Sequence, residues 1–317
     1  MEKRKYDVAT IFDACVDLIV HLGNVTPDFG QKEQLVQDFG VYLGGSACIF
    51  ASQCAKLGLS TAGAGLAGED AFGKIVLDEL RGSGVDISYL KTSSACKTSV
   101  GVALNKGNDR CTLTYSDSIR LVEKSMVPDG LLRQSRHLHI ASYYLLSGLR
   151  QDLCEILKQA KQYGLTISLD TNWDPEERWE LPEELLQYVD ILLPNEQELL
   201  FLSGEKSLSR AIARFLPAVP LIVVKMGAQG AAAATKDGME CIQAPAVPIA
   251  DTIGAGDSFD AGFLYGYLHG RPLREYLGYA VECGSANVSA FGGCGGQLDL
   301  SRLLAKTKSQ DKGELKA

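Results

Sequence analysis

The chain lacks a C-x-x-C pair, a long basic run and any apolar run near the roughly 20 residues that a membrane-spanning helix needs. Its nine cysteines are scattered, which disfavours a zinc site or a disulfide framework and favours reduced thiols. The net charge of −8 disfavours a nucleic-acid partner. The first apolar run stops at Asp13, too early for the core of a signal peptide. We therefore expect a cytoplasmic protein that binds neither nucleic acid nor a membrane.

The second half of the chain alternates short apolar runs with helical segments. The runs HLHIA, LTISLD, DILLP and PLIVVK predict buried strands, and residues 149–163 predict a helix between two of them. Earlier in the chain, residues 6–12 predict a strand, and residues 46–57 and 70–81 predict helices. Strands joined by helices need parallel crossovers. The predicted fold class is therefore α/β, with a doubly wound, mostly parallel sheet flanked by helices.

One stretch does not fit this alternation. In TSVGVALNKGNDRCTLTYS, residues 98–116, apolar and small or polar residues alternate on both sides of an NKGND turn. This pattern predicts a β-hairpin with one buried and one wet face, which we assign to a small β-sheet lid. The predicted division gives a large domain of residues 1–14, 46–96 and 121–307, a lid of residues 15–45 and 97–120, and a disordered polar tail of residues 308–317.

The segment DTIGAGDSFDAG, residues 251–262, places two glycines directly before an apolar helix. The unpaired N–H groups at the start of a helix, together with its dipole, can hold phosphate oxygens. Asp257 would compete with a bound anion, unless it removes the proton of a hydroxyl that attacks a γ-phosphate. From the turn alone, capping of the helix by Asp257 is the simpler interpretation. No G-K-[ST] follows the glycines, so the segment is not a Walker loop.

The same segment resembles the C-terminal signature of the ribokinase-like (PfkB-type) carbohydrate kinase family. Six further segments resemble motifs of that family, in the family's order and across nearly the whole chain. They are VDLIV (residues 16–20), LGGSACIFASQCAKLG (43–58), AGEDAFG (67–73), LDTNWDP (169–175), PNEQE (194–198) and VVKMGAQGA (223–231). With six more segments in register, capping by Asp257 is an incomplete explanation.

The resemblance implies a role for each matching residue. Asp257 is similar to the family's catalytic base, and the backbone N–H groups of Gly254, Ala255 and Gly256 are similar to its anion hole. The residues implied to face the sugar are Asp17, Gly44, Gly45, Ile49 and Asp257. The residues implied to hold ATP are Asn195, Lys225, Gly227, Gly230 and Gly256, with Glu198 holding Mg²⁺ through water. K⁺ is the implied candidate for a cation site at Asp251, Ile253, Ser289 and Gly292.

From the residues alone, simpler interpretations stay open for several of these positions. Asn195 and Glu198 can form an ordinary capping box at a helix start. The segment from Lys225 to Gly230 can be a hairpin turn, and Asp17 can be a solvated strand end. The chain also departs from the family pattern: Ile49 and Val281 stand where Asn is usual, and Phe12 stands where Gly is common. These changes leave the catalytic turn intact but make the identity of the sugar doubtful.

The predicted function is that of an ATP- and Mg²⁺-dependent sugar kinase. Its acceptor would be ribose, fructose, a keto-deoxy sugar acid or a similar small carbohydrate, and a nucleoside kinase of the same fold is the alternative. GAGLAG, residues 63–68, formally matches the dinucleotide motif G-x-G-x-x-G, but no strong apolar strand leads into it, which disfavours an NAD-dependent dehydrogenase. Intact Asp257, Asn195 and Glu198 disfavour a non-catalytic sugar-binding protein. The resemblance also suggests a homodimer formed through the outer face of the lid.

Overall fold

The computed structural model describes residues 4–107 and 109–314, with residues 308–314 as backbone only. The strands are β1 (Tyr6–Phe12), β2 (Cys15–His21), β3 (Asp38–Gly44), β4 (Thr61–Gly68), β5 (Asp86–Ser93), β6 (Ser99–Lys106), β7 (Asp109–Tyr115), β8 (Ser135–Ile140), β9 (Thr166–Leu169), β10 (Ile191–Leu192), β11 (Leu221–Lys225), β12 (Ala231–Thr235) and β13 (Gly238–Ile242). The helices are α1 (Ser46–Lys56), α2 (Ala71–Gly82), α3 (Asp117–Arg120), α4 (Asp129–Arg133), α5 (Arg150–Gln162), α6 (Glu183–Leu186), α7 (Glu196–Ser203), α8 (Leu208–Phe215), α9 (Ala255–Leu268), α10 (Leu273–Asn287) and α11 (Leu300–Glu314).

The larger sheet has nine strands in the order β13-β12-β11-β10-β9-β8-β1-β4-β5. Neighbouring strands from β11 to β5 run parallel, and β12 and β13 are antiparallel additions at one edge. Helices α1, α9, α10 and α11 pack together around a cluster that includes Phe50 and Leu264. Helices α4 to α8 pack around a second cluster that includes Leu153 and Ile222. A mostly parallel sheet with helices packed on its faces confirms the predicted fold class.

The smaller sheet has four strands in the order β3-β2-β6-β7 and is called the lid sheet below. The central pair β2 and β6 is parallel, and each outer pair is antiparallel. The predicted hairpin corresponds to β6 and β7. All four strands lie within the residues that the sequence assigned to the lid, while the domain boundaries themselves stay a prediction.

The GAGLAG segment lies inside β4 rather than at a turn between a strand and a helix. A Cβ added at Gly63 would lie 2.3 Å from Phe12 Cζ, so the glycine makes room for the phenylalanine ring of the neighbouring strand. The match to the dinucleotide motif therefore follows from strand packing, which removes the sequence basis for a dehydrogenase.

The end of the chain differs from the prediction. Residues 308–314 continue helix α11, although the sequence predicted a disordered tail over residues 308–317. This stretch contains Lys, Gln and Glu, which have good helix propensity, and extending an existing helix avoids the cost of nucleation. Residues 315–317 lie outside the described residues. In the described part of the chain, no helix combines the length and apolarity needed to cross a bilayer.

Candidate active site

A cavity of about 450 Å³ lies between the lid sheet and the carboxyl ends of β1, β9 and β11. The predicted site residues in its wall are Asp17, Gly45, Ile49, Asn195, Glu198, Lys225, Gly227, Ile253, Gly254, Gly256 and Asp257. The predicted site residues outside its wall are Gly44, Gly230, Asp251, Ala255, Ser289 and Gly292. The carboxyl ends of parallel strands are where open α/β sheets bind ligands.

The turn before α9 fixes the position of Asp257. Gly254 is the N-cap of α9 with a φ of +73°, and a Cβ added there would lie 2.4 Å from the carbonyl oxygen of Gly293, so glycine is required. Asp257 lies in the first turn of α9 and is 6% exposed. Within the described residues, its carboxylate accepts no hydrogen bond from a backbone N–H group of α9, so capping does not explain its presence. The first N–H groups of α9 therefore stay available at the cavity.

Burial and the neighbouring charges shift the pKa of Asp257. Burial raises its pKa well above the ordinary value, and the carboxylate of Asp170 adds to this effect. The charge of Lys225 and a hydrogen bond from the Ser46 side chain oppose the increase. A carboxyl group whose pKa lies closer to neutrality is a stronger base than an exposed one.

A buried ion cluster lies next to the turn before α9. Lys225 Nζ is 2.7 Å from Asp170 Oδ2 and 3.3 Å from each carboxylate oxygen of Asp260. Burial alone would lower the pKa of Lys225, but the two carboxylates outweigh burial and raise it. A Cβ added at Gly256 would lie 3.5 Å from Lys225 Nζ, so the Lys225 side chain packs against the backbone of this turn.

Asn195 and Glu198 form the capping box of α7 and also face the cavity. The Asn195 N–H group donates to Glu198 Oε2 at 2.8 Å, and the Glu198 N–H group donates to Asn195 Oδ1 at 2.9 Å. Glu198 Oε1 has no hydrogen-bond partner among the described residues. Burial and Asp170 raise the pKa of Glu198, and Lys225 opposes them. The simpler interpretation as a capping box is correct, and it leaves one carboxylate oxygen for a ligand.

The lid contributes Asp17 on the inner face of β2. A Cβ added at Gly44 would lie 2.7 Å from the Asp17 carboxyl carbon, and one added at Gly101 would lie 2.6 Å from Asp17 Oδ1. The two glycines therefore make room for the carboxyl group even though Gly44 does not line the cavity. Burial raises the pKa of Asp17 to about 7, with Asp13 adding to the increase and Arg110 opposing it.

Arg110 is the second cation of the cavity wall, which otherwise contains only Lys225 within the described residues. It lies on the inner face of β7, and its Nη1 is 3.5 Å from Thr252 Oγ1. No described carboxylate lies within ion-pair distance of Arg110. Its charge is therefore available to a ligand, whereas the charge of Lys225 is shared by Asp170 and Asp260.

The family's two usual Asn positions are packed apolar residues in this chain. Ile49 is 2% exposed and packs with Ile19 and Ile253 at the base of the lid. Val281 is buried against Phe259 in α9 and does not line the cavity. Ile49 thus borders the predicted sugar position without a polar group, and Val281 belongs to the core.

The predicted cation residues come together where two loops meet. Asp251 Oδ1 accepts a hydrogen bond from the Ile253 N–H group, and Asp251 Oδ2 accepts one from the Gly292 N–H group, both at 3.1 Å. Ser289 lies in the same segment as Gly292, directly after α10. The described residues contain no group of three or more His, Cys, Asp or Glu suited to a metal ion. A cation here would therefore depend on carbonyl oxygens.

Two buried aspartates in the cavity wall were not assigned a role from the sequence. Asp13 accepts hydrogen bonds from the Ser46 N–H group at 2.8 Å, the Ala47 N–H group at 3.0 Å and the Ser142 hydroxyl at 2.5 Å. Burial raises the pKa of Asp13 to about 6. Asp170 binds Lys225, as described above. Both follow directly on β1 or β9, and an acid at the carboxyl end of a parallel strand was the signal that could have identified them.

The remaining predicted residues have structural positions near the cavity. Gly230 closes the turn between β11 and β12 with a φ of +90°, and a Cβ there would lie 1.9 Å from the Ile242 carbonyl oxygen. The segment from Lys225 to Gly230 is therefore a hairpin turn, and Gly227 in that turn lines the cavity. Ala255 is the first residue of α9.

Residues 9–299 match the model of the pfkB family carbohydrate kinases. The chain belongs to this family. It is 26% identical over 311 residues to a 5-dehydro-2-deoxygluconokinase of Geobacillus thermodenitrificans, covering 91% of this chain and 89% of the relative. It is 30% identical over 270 residues to a fructokinase of Klebsiella pneumoniae, covering 78% of this chain and 86% of the relative. A crystal structure, with ATP and Mg²⁺, of an E. coli protein assigned as a ribokinase II superposes with a TM-score of 0.83 and 26% identity over 96% of this chain and 99% of that one.

As a pfkB family carbohydrate kinase, the protein is a phosphotransferase that acts on a sugar hydroxyl. The predicted family and reaction type are thereby confirmed. ATP and Mg²⁺ are consistent with the E. coli neighbour, whose crystal structure contains both. The two relatives are named for different acceptors, so membership in the pfkB family alone does not determine the acceptor.

Proposed function

We propose that this enzyme transfers the γ-phosphoryl group of ATP to a hydroxyl of a small carbohydrate, with Asp257 as the general base. One observation carries the proposal: a single cavity wall combines Asp257 of α9, Glu198 of α7 and Asp17 of the lid. A hydroxyl that attacks a phosphoryl group at a helix N-terminus must lose its proton there, and a buried carboxylate with a raised pKa is suited to accept it.

The residues present fit MgATP. Bound MgATP supplies the electrophilic phosphoryl group, with the metal neutralising part of its charge. The free N–H groups of Ala255 and Gly256 would hold phosphate oxygens, and Glu198 Oε1 would contact Mg²⁺ through water, since Mg²⁺ keeps several waters and takes few protein carboxylates. Asn195, Gly227 and the hairpin turn that Gly230 closes would border the nucleotide. Lys225 would act by holding Asp170 and the turn in place.

K⁺ is the proposed ion for the meeting point of the 251–253 and 289–292 loops. Both oxygens of Asp251 are engaged by N–H groups, and Asn287 Nδ2 donates to the Ile253 carbonyl at 2.9 Å. These contacts orient the loop backbone next to Gly254. An ion bound there would add positive potential beside the helix N-terminus that receives the phosphate.

We further propose that the acceptor carries an anionic group. The cavity wall is rich in carboxylates, yet Arg110 on the lid has no carboxylate partner among the described residues. A guanidinium group without a partner is suited to a carboxylate or a phosphate. The name of the G. thermodenitrificans relative specifies an acceptor derived from gluconate, which is consistent with this proposal. The hydroxyl groups of Thr112 and Thr114 lie on the same face of the lid as Arg110 and would contact acceptor hydroxyls.

The outer face of the lid sheet is proposed as the contact of a homodimer. The strand registers place the charged pair Lys106 and Asp109 at the far end of this face, and the side chains over the rest of it are apolar or weakly polar. They are Leu18, Val20, Phe39, Val41, Val102, Leu104, Cys111, Leu113 and Tyr115. Phe39 is 66% exposed and Leu113 58%. A contiguous apolar face of this kind on a soluble domain marks a protein contact, and a two-fold axis would let the same face cover itself.

Replacing Asp257 tests the assignment of the base. Asp257→Asn keeps the size of the side chain but removes its basicity, so we expect kcat to fall about 10²- to 10⁴-fold. The dissociation constant of ATP, measured by calorimetry, should change little. Turnover within a few-fold of the wild-type value would show that another group accepts the proton.

A screen of acceptors with an ADP-release assay tests the choice of acceptor. We expect turnover with a keto-deoxy sugar acid to exceed turnover with fructose, ribose or adenosine. Arg110→Ala should lower kcat/KM for the acid at least tenfold and change that for neutral sugars far less. Lys106→Ala is the matched control, because Lys106 is a cation of the same hairpin but lies on the outer face. It follows the inner-face pair of Asn105 and Arg110 by one position. Turnover with adenosine alone would favour the nucleoside kinase, and an equal loss for all acceptors would contradict the role of Arg110.

A further inference from the structure

A second cavity lies behind the segment of residues 170–182, which joins β9 to α6 and is called the 170–182 loop below. Its volume is about 720 Å³, larger than that of the active-site cavity, and the two walls share no residue. Its wall contains the second half of this loop, the first residue of α5, and parts of α6, α7 and α8. The wall residues are Tyr143, Arg150, Trp179, Glu180, Leu181, Pro182, Glu183, Leu186, Leu202, Arg214, Phe215 and Ala218.

The chemistry of this wall is that of a small-molecule site. Leu181, Pro182, Leu186, Leu202 and Phe215 form an apolar floor. Polar groups surround this floor, and a concave wall that combines apolar and polar groups is suited to a small ligand.

Two arginines and two glutamates line the second cavity. Neither Arg150 nor Arg214 forms an ion pair with a carboxylate of the described residues, although Glu180 and Glu183 line the same cavity. Arg150 lowers and Glu180 raises the pKa of Tyr143, so both charges act near that hydroxyl group. Guanidinium groups bind phosphate in a bidentate manner, and exposed glutamates can accept hydrogen bonds from sugar hydroxyls.

The 170–182 loop is held in an unusual conformation beside this cavity. Glu177 and Trp179 have φ values of +54° and +55°, which side chains other than glycine rarely adopt. Asp174 holds the loop there, since its carboxylate accepts hydrogen bonds from the N–H groups of Arg178 at 2.9 Å and Trp179 at 2.7 Å. Strained backbone of this kind is concentrated at ligand clamps and switch segments.

The same loop also belongs to the active site. Asp170 at its start binds Lys225, and Asn172 Oδ1 accepts a hydrogen bond from the Ser142 N–H group at 2.7 Å. The Trp179 ring stacks on Phe201 with ring centroids 5.0 Å apart and meets the edge of Trp173 at 4.9 Å. The 170–182 loop therefore runs from the wall of the active-site cavity, at Asp170 and Asn172, to the wall of the second cavity.

We propose that the second cavity is a regulatory site for a small phosphorylated sugar, with Arg150 and Arg214 binding its phosphate and the 170–182 loop carrying the effect to the active site. The proposed binding of the sugar phosphate does not rest on the proposed kinase function, whereas its effect on turnover does. The aromatic rings of Tyr143 and Trp179 would pack on the carbon skeleton of the sugar.

Intrinsic fluorescence tests binding directly, because the only two tryptophans of the chain, Trp173 and Trp179, both lie in the 170–182 loop. The probes are fructose 6-phosphate and ribose 5-phosphate, with fructose, ribose and inorganic phosphate as controls. We expect a saturable change in fluorescence with at least one sugar phosphate, and none with the unphosphorylated sugars at the same concentrations. An equal affinity for inorganic phosphate would overturn the assignment to a phosphorylated sugar, and no response to either sugar phosphate would overturn the proposal.

Charge reversal separates this cavity from the active site. Arg214→Glu alters an exposed residue of α8 and should weaken sugar-phosphate binding at least tenfold. Arg178→Glu is the matched control, since Arg178 is exposed on the 170–182 loop but lines neither cavity. The affinity of this variant for the sugar phosphate should stay at the wild-type value. Arg150→Lys is a second variant that keeps the charge but loses bidentate geometry, with a smaller loss expected. Unchanged binding in Arg214→Glu would mean that the probe occupies the active site and would overturn the proposal.

Kinetics then test regulation. With the preferred acceptor, a saturating sugar phosphate should change kcat or the KM for that acceptor in the wild type and the Arg178→Glu variant, but not in Arg214→Glu. Binding without any change in kinetic constants would overturn the regulatory part. A protein without kinase activity but with Arg214-dependent binding would contradict the proposed function and leave the second site standing.

Discussion

At the scale of single residues, Asp257 is surrounded by charges of both signs. Burial raises its pKa most, Asp170 and Asp13 raise it further, and Lys225 lowers it. Lys225 also binds Asp170 and Asp260, so several buried carboxylates share one ammonium group. The balance between these residues sets the pH at which the base is ionised.

The pH dependence of turnover follows from this balance. Only ionised Asp257 accepts a proton, and its raised pKa places the loss of activity well above the pH near 4 at which an exposed aspartate is protonated. We therefore expect kcat/KM to decrease as the pH is lowered, with the acid limb far above pH 4. Lys225→Met should shift the limb to higher pH, whereas Lys225→Arg, which keeps the charge, should leave it nearly in place. A limb near pH 4 in the wild type would contradict the assignment.

At the scale of elements, the contact of β1 with β4 explains one departure from the family pattern. Phe12 stands where the family commonly has glycine, and Gly63 and Gly65 lie beside it on the neighbouring strand. A Cβ added at Gly63 would lie 2.3 Å from the Phe12 ring, and a Cβ added at Gly65 would lie 2.9 Å from Phe12 Cβ. The phenylalanine ring thus fills the space that small residues leave on β4.

A double-mutant cycle tests this exchange. Gly63→Ala should lower the free energy of unfolding by about 1–3 kcal/mol through overpacking, and Phe12→Ala by about 3–5 kcal/mol through the cavity it leaves. In the Phe12→Ala background, Gly63→Ala should cost much less, because the ring that it meets is gone. Urea denaturation measures all four proteins. Strictly additive losses would show that the two positions do not depend on each other.

Much of the element pattern could be predicted because it depends on local signals. Strand β1 has the predicted bounds, α1 ends one residue earlier than predicted, and α5 is one residue shorter than predicted at each end. Asp70 caps α2 as expected, accepting the Gly73 N–H group at 2.8 Å. The pairing of β2 with β6 was beyond reach, because residues 22–98 separate these parallel neighbours and no local pattern encodes their register.

The site could be predicted less completely. The catalytic turn and the capping box at Asn195 are continuous in sequence, so their motifs reveal them. Asp13, Arg110 and Asp170 come from three separate elements and converge only after folding. Whether Lys225 contacts nucleotide or carboxylates likewise depends on Asp260, a neighbour that the sequence does not place beside it.

At the scale of the whole molecule, the outer face of the lid sheet determines the expected assembly. Leu113→Asp places a charge on that face, on the edge strand β7, without affecting the core, since Leu113 is 58% exposed. We expect light scattering after size-exclusion chromatography to give twice the 34.1 kDa chain mass for the wild type and the chain mass for the variant. Met239→Asp, at an exposed position on β13, is the control and should stay dimeric.

Thiol labelling provides an independent test of the proposed dimer. Cys111 lies on the outer face of the lid sheet, and Cys241 is exposed on β13. In a dimer, Cys111 should react with a thiol reagent much more slowly than Cys241, and Leu113→Asp should restore its rate. A wild-type protein that elutes as a monomer and labels both cysteines at equal rates would contradict the proposed dimer.

The lid also touches the segment that follows α10. The ring of His21 on β2 meets the ring of Phe291 edge-on with centroids 4.7 Å apart, and a Cβ added at Gly292 would lie 2.5 Å from the Tyr42 ring of β3. A cation held by that segment and a sugar held beneath the lid would thus act on opposite sides of one shared contact. If either ligand orders this contact, each must increase the affinity for the other by the same factor. The ionic composition of the medium would then tune the apparent affinity for sugar, although the two ligands never meet.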